Sequence, residues 1–261
     1  MHRAIVRPPG RNFSRALTRL VPPPAIDLDL ARSQHSGYVE TLRRCGVEVL
    51  VLSPDDAHPD SVFIQDRVLV VDGRAIVCPS AAPSRRGEEE AVVAAIDRSL
   101  PIVELAPPAC LDGGDILITE DSLFVGLSER SNRAAVSQLR EILAPRLAVE
   151  GVPLPADLLH LLSGRSYLGD GLLLAVESLK DVSAFRSLRR IAVPPDEAAA
   201  ANALALGKDV IVPAGFAKTA ARMEGHGFRV HAVSVSEFAK RDGGVTCLSI
   251  LWSSAGGPPL A

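Results

Sequence analysis

Apolar positions along this chain fall in short runs broken by turn formers, and most of the runs have strand rather than helix character. Ala4-Ile5-Val6-Arg7 reads as a first strand, ended by Pro8-Pro9-Gly10, and Val47 to Leu52 as a second. Between them Leu28, Leu30, Ala31, Tyr38, Val39 and Leu42 recur at three- and four-residue spacings. That pattern predicts a helix over 27–44, stopped by Cys45-Gly46. Strands over 68–71 and 75–78 flank Asp72-Gly73, a dipeptide suited to the tightest hairpin turns. Further strands are expected at 102–105, 116–118, 123–125, 172–176, 191–193, 209–212, 229–235 and 247–252. Helices are expected at 88–100, whose acidic first turn suits the helix dipole, at 132–143 and at 218–226. Residues 10–24 predict an irregular loop lying over another part of the molecule, and the Gly- and Pro-rich 253–261 a frayed tail.

Pairs of short strands thus recur with single helices at intervals of roughly fifty residues, the mark of repeated units closed around an axis. Asp112-Gly113-Gly114 is echoed by Asp242-Gly243-Gly244, so the turns of such units would converge on one site. At 261 residues, 47% of them apolar and 23% charged, the chain suits one large domain over 1–261 with a sizeable core. A net charge of -3 supplies no basic field for nucleic acid. No apolar run is long enough to span a membrane and no signal peptide opens the chain, so a cytoplasmic protein is expected. Cys45, Cys78, Cys110 and Cys247 form no C-x-x-C pair, which argues against a zinc cage or a disulfide framework.

The chemistry centres on Arg241-Asp242-Gly243-Gly244-Val245-Thr246-Cys247, where a two-glycine turn delivers a thiol to the first position of an apolar strand. Such a cysteine is ordinarily inert core; its partners change that reading. Polar groups gather at four other strand ends: Asp60, Phe63 and Asp66; Arg85-Arg86; Asp112-Gly113-Gly114-Asp115; and Ser128-Glu129-Arg130. His160 stands among leucines. These residues contain a thiol, a base to activate it and acids to orient the base. The order of His160 and Cys247 is the reverse of papain's and their separation exceeds that of caspases, which disfavours a cysteine protease. No H-E-x-x-H motif supports metal-dependent hydrolysis.

Six stretches in order resemble the dimethylarginine dimethylaminohydrolases of the guanidino-group-modifying, or pentein, superfamily. They are Asp60-x-Val62-Phe63-x-x-Asp66, Ala82-Pro83-Ser84-Arg85-Arg86, Leu111 to Asp115, Phe124-Val125-Gly126-Leu127-Ser128-x-Arg130, His160-Leu161 and Asp242-Gly243-x-x-Thr246-Cys247. The resemblance implies an α/β fold, a five-bladed propeller of pseudo-symmetric ββαβ units. It implies hydrolysis of Nω-methylated arginine to citrulline and an alkylamine, without metal or other cofactor. Carried over by position, Cys247 is the nucleophile, His160 the general acid and base, and Asp112 the acid that completes the site. Asp66 and Gln65 match guanidinium-binding positions and Phe63 a pocket wall. Arg85 and Arg130 match a clamp on the α-carboxylate. Asp60 and the backbone at Leu17 match the receiver of the α-amine, and Asp242 a carboxylate near the thiol. Gln65 replaces the family's usual glutamate, which removes a negative charge, and Leu161 to Gly171 match loosely. A small-molecule substrate is the expected partner, with a homodimer left open. The rival readings are a deiminase-like hydrolase of arginine or another guanidine, and a non-enzymatic pentein that binds a macromolecule.

Overall fold

Side chains alternate between the two faces of a strand, and in this protein both faces of most strands are buried, which is why so many runs are apolar throughout. In the strand His2–Val6, Ala4 and Val6 pack with Leu204 and Ile211 on one side, while Ile5 packs with Ile64, Val68 and Ile250 on the other. The computed structural model describes residues 2–96, 99–177 and 183–253, and it builds this arrangement five times.

Among the described residues there are five three-stranded sheets, each joining one antiparallel and one parallel pair. The first sheet holds His2–Val6 between Ser249–Ser253 and Val47–Val51, so the two ends of the chain close the ring. The second contains Val68–Val71, Arg74–Val77 and Ile102–Glu104. The third contains Ile116–Ile118, Ser122–Leu127 and Ala148–Pro153. The fourth contains Arg165–Gly169, Leu172–Val176 and Arg189–Val193, and the fifth Leu204–Leu206, Asp209–Pro213 and Arg229–Val233. Parallel neighbours need a crossover. Leu28–Arg44, Glu90–Ala95, Arg133–Leu143 and Ala217–Gly225 supply helical ones. Five apolar clusters fill the five gaps between neighbouring sheets, which makes the molecule a five-bladed α/β propeller.

A short 3₁₀ turn leads into the inner strand of every sheet: Ile64–Asp66, Gly113–Asp115, Leu161–Ser163, Pro195–Ala201 and Thr246–Leu248. Around the axis Thr246–Leu248 contacts Ile64–Asp66, which contacts Gly113–Asp115, which contacts Leu161–Ser163, which contacts Pro195–Ala201. Cys247 therefore lies in a turn, and the strand expected to start with it starts at Ser249. The helix expected over 88–100 is only Glu90–Ala95. Glu88 is drawn inward onto Arg85 instead of opening the helix, and residues 97–98 lie outside the described ones.

Three strands escaped the pattern. Ala148–Pro153 carries Gly151 and Pro153, tolerable because it is an outer, parallel edge. Leu204–Leu206 sits in an alanine-rich stretch with helical propensity, overridden by its pairing with Asp209–Pro213. Arg165–Gly169 begins with a buried arginine. The tail expected over 253–261 has Ser253 in a strand and its remainder outside the described residues. No helix among the described residues is long and apolar enough to cross a membrane.

Candidate active site

The five turns bring Asp66, Asp112, His160, Asn202 and Cys247 to one end of the axis, each from a different sheet. Backbone there approaches so closely that glycine is required. A Cβ on Gly243 would lie 2.2 Å from the Phe63 ring, one on Gly244 2.2 Å from Asn202 Oδ1, and one on Gly114 2.6 Å from His160 Nδ1. The glycines ahead of Cys247 thus make room for neighbouring protein side chains. The left-handed residue in that turn is Asp242, with φ of 57°.

Two cavities meet at the thiol. The smaller, about 140 Å³, is lined by Leu17, Asp60, Phe63, Asp66, Arg85, Asp112, Arg130, His160, Asp242 and Cys247, ten of the eleven site residues expected from sequence. Gln65 is placed elsewhere. It lines a separate small cavity with Val68, Gly113 and Ile116, and its buried Oε1 has no hydrogen-bond partner. The Ile64–Asp66 turn sends the two neighbours apart, Asp66 into the chamber and Gln65 toward the strands Val68–Val71 and Ile116–Ile118.

Two buried arginines hold the carboxylates. Arg85 Nη1 donates to Asp66 Oδ2 at 2.7 Å, and its Nη2 donates to Glu88, Phe63 O and Asp60 O. Arg67 Nη2 donates to Asp112 Oδ1 at 2.5 Å. Burial pushes the Asp66 carboxyl up, but Arg85 first, then His160 and Arg67, hold it well below the usual carboxylate range. Gly114 N–H also donates to it. Asp60 accepts the Leu17 N–H at 3.0 Å, and burial keeps its pKa raised. Arg130 reaches to 3.9 Å from Asp112 and is the more open guanidinium of the chamber.

His160 Nε2 faces Asp112 Oδ2 at 3.4 Å without hydrogen-bond geometry, and both atoms are buried and unpartnered. Burial lowers the imidazole pKa, yet Asp112, Asp66 and Asp115 together raise it above the ordinary value. Asp115 also anchors the turn: it accepts the Leu161 N–H at 3.0 Å and the hydroxyls of Ser128 and Ser131. Cys247 Sγ accepts the Gly244 N–H at 3.4 Å. Burial, then the charge of Asp66, push the thiol up to about 11.

The loop over 10–24 does cover this chamber. Asp242 accepts the Arg19 N–H at 2.7 Å, and Arg241 donates to Ser14 O and Pro24 O. Ligand atoms of Asp66, Asp112 and His160 lie within 4.8 Å of one another, a set fit for a cation. With Arg85 and Arg67 already on the carboxylates, the acceptor edge left without a hydrogen bond is Asp112 Oδ2, which suits an N–H group of an organic cation. Cys45, Asp209 and His231 form a second such set far from this chamber, where Arg229 occupies both Asp209 oxygens.

The family model described as N,N dimethylarginine dimethylhydrolase, eukaryotic, matches residues 24–148. The N(G),N(G)-dimethylarginine dimethylaminohydrolase of Pseudomonas aeruginosa is 34% identical over 250 residues, covering 94% of this chain and 97% of that one. The chain belongs to the dimethylarginine dimethylaminohydrolase family. A solved structure of the Pseudomonas aeruginosa family member, a Cys-to-Ser variant complexed with citrulline, matches with a TM-score of 0.91 at 33% identity, over 96% of this chain and 98% of that. A second, a dimethylarginine dimethylaminohydrolase His-to-Gly variant as its adduct with S-methyl-L-thiocitrulline, also gives 0.91, at 34% identity, over 96% and 99%.

Sequence reasoning missed three groups of this family member's site, Arg67, Glu88 and Asn202, and quoted Asp115 within a motif without giving it a role. Arg67 and Glu88 stand beside quoted motifs, and a charged residue flanking a motif is the signal that would have found them; both are buried. Asn202 is the lone polar residue in the run Ala199 to Leu206. Its Nδ2 donates to Thr246 Oγ1 at 2.8 Å and to Leu162 O at 3.1 Å, and its Oδ1 accepts the Thr246 N–H at 3.1 Å.

Proposed function

We propose that this chain hydrolyses Nω-methylated L-arginine to L-citrulline and methylamine or dimethylamine through a covalent intermediate on Cys247. The observation that carries the reading is the polarity of the small chamber. An amino-acid end fits between Arg130 and Asp60, a cation fits at Asp66 and Asp112, and the thiol and imidazole stand beside that cation site. Relatives complexed with citrulline and with S-methyl-L-thiocitrulline support it.

A guanidinium is permanently charged and poorly electrophilic, and the free thiol here holds its proton tightly. Substrate binding addresses both. The cation offsets Asp66, whose charge opposes the thiolate, and an opposite charge beside Sγ favours ionisation. Cys247 thiolate adds to the guanidinium carbon, forming the S–C bond. His160 gives its proton to the departing nitrogen as that C–N bond breaks, leaving a thiouronium. His160 then takes a proton from water, whose oxygen bonds the carbon while the C–S bond breaks. Citrulline and free thiol result. Asp112 orients His160 and takes a substrate N–H, and Asp242 fixes the loop above through Arg19. Every group named comes from one chain, so no second copy is required. A reducing cytoplasm keeps the thiol free.

The test is citrulline formation from asymmetric dimethylarginine, monomethylarginine and plain arginine, with Cys247→Ser as the blank. Citrulline from the methylated substrates, absent from the blank, is expected. Citrulline from plain arginine alone would assign a deiminase, and turnover by Cys247→Ser would overturn the covalent route.

A further inference from the structure

The larger cavity at the thiol has no role in seating an amino acid. At about 380 Å³ it shares His160, Asp242, Gly243 and Cys247 with the small chamber, but none of Asp60, Arg85 and Arg130 lines it. Its own walls are mainly apolar, with Leu162, Pro213, Phe216, Val235 and Ala239 among them. The one carboxylate at its edge, Asp242, is engaged by the Arg19 N–H. The cavity is therefore built for an uncharged, apolar group that reaches past the thiol.

A substrate anchored at Arg130 and Asp60, with its guanidine carbon at Sγ, has its terminal nitrogens beside Cys247 and His160. These two residues wall both cavities. Whatever the leaving nitrogen carries must then point out of the small chamber into the large one. We propose that the large cavity is the subsite for the nitrogen substituent, and that the substrates extend beyond methylated arginine to Nω-alkyl and Nω-arylalkyl arginines of propyl to benzyl size. This rests on the hydrolytic reading above. The chemistry is unchanged by the longer group: the S–C bond forms, the C–N bond to the alkylamine breaks as His160 protonates it, and water later replaces sulfur on carbon. The released amine leaves through the large cavity. Each methylene buried there strengthens binding about fourfold, so the longer substituents gain affinity instead of being excluded.

The experiment compares monomethylarginine with Nω-propyl-L-arginine and Nω-benzyl-L-arginine, measuring citrulline and the released amine. Turnover of the propyl compound is expected, with a KM about 16-fold below that of the methyl one. Ala239→Phe, an exposed position on the cavity wall, is expected to raise KM for the propyl compound at least tenfold and to leave methyl kinetics within about twofold. Ala199→Phe, also exposed on that wall, gives the same readout if the first variant fails to fold. A propyl compound that is neither hydrolysed nor competes with monomethylarginine overturns the subsite. So does equal impairment of both substrates by the cavity-filling change. Calorimetric binding to Cys247→Ser keeps the two readings apart. If no compound yields citrulline, tighter binding of propyl than of methyl upholds the subsite and removes the hydrolytic function; equal or weaker binding removes the subsite.

Discussion

Arg85 and Arg130 look equivalent along the chain, each a basic residue after a turn, but they have different hydrogen-bonding capacity left. Arg85 is 3% exposed and spent on Asp66, Glu88 and two backbone carbonyls. Arg130 keeps its guanidinium open to the chamber, with Asp112 as its nearest acid at 3.9 Å. On the function proposed above the two divide the work expected of a clamp: Arg85 sets the Asp66 carboxylate, and Arg130 has the guanidinium left for the ligand's. Arg130→Ala should raise KM for methylated arginine by roughly 10- to 100-fold, the worth of a charge-assisted hydrogen bond. The kcat should change much less. Steady-state kinetics with a decarboxylated guanidine as control checks this, because that control has no carboxylate to lose; an equal effect on both compounds would remove Arg130 from carboxylate binding. Residue types at motif positions were legible because each motif carries its chemistry in its letters. Which atoms remain free was not, since that depends on Glu88 and Arg67 folding in from outside the motifs.

Among the elements, the fifth blade's turn, Pro195–Ala201, contributes no reacting group. Asn202 at its end instead ties the histidine turn to the nucleophile turn, bonding Leu162 O on one side and Thr246 on the other. It is a positioning residue for Cys247. Asn202→Ala leaves the Thr246 N–H and Leu162 O buried without partners, a loss of about 2 kcal/mol in stability. It should also lower kcat at least tenfold with little change in KM, and alter the rate at which iodoacetamide alkylates Cys247 in the folded enzyme. Unchanged kcat and alkylation in a folded Asn202→Ala protein would reduce the residue to a structural one. Asn202→Asp, which retains the acceptor for the Thr246 N–H, should recover part of the activity. Elements with strong period were legible: Leu28–Arg44 with Asp27 as its cap, and Arg133–Leu143 capped by Asn132. Leu204–Leu206 and Ala148–Pro153 were not, because neighbouring strands and not local pattern specify them.

Across the whole molecule, folding also buries titratable groups that do not line the chamber. His35 lies on the inner face of Leu28–Arg44, 2% exposed with Nε2 unpartnered, and burial lowers its pKa to about 4. In the unfolded chain the same imidazole takes a proton near pH 6.5. Between those values the unfolded state binds more protons, so stability rises with pH and falls on acidification from about 6.5 to about 4. The loss from this one group reaches roughly 3 kcal/mol. Urea unfolding at several pH values should show it, and His35→Gln should flatten that part of the profile. A variant with the native slope would assign the loss to other groups. Ring closure explains why apolar strand runs suggested repeats without stating their number. Only the five inter-sheet clusters decide that the ring shuts at five.

The amino-acid sequence by itself determined the strand and helix inventory in outline, the family, and the residues of the small chamber, because backbone periodicity and motif chemistry are local properties. The tertiary structure alone decided that Cys247 rides on a turn rather than a strand and that Gln65 faces away from the chamber. It also decided that Arg85 is spent and that Asn202 holds the thiol's turn. Those outcomes depend on which atoms meet when five separate turns converge, and the meeting partners lie far apart along the chain, 48 residues for Gly114 and Asp66 and 223 for Arg19 and Asp242.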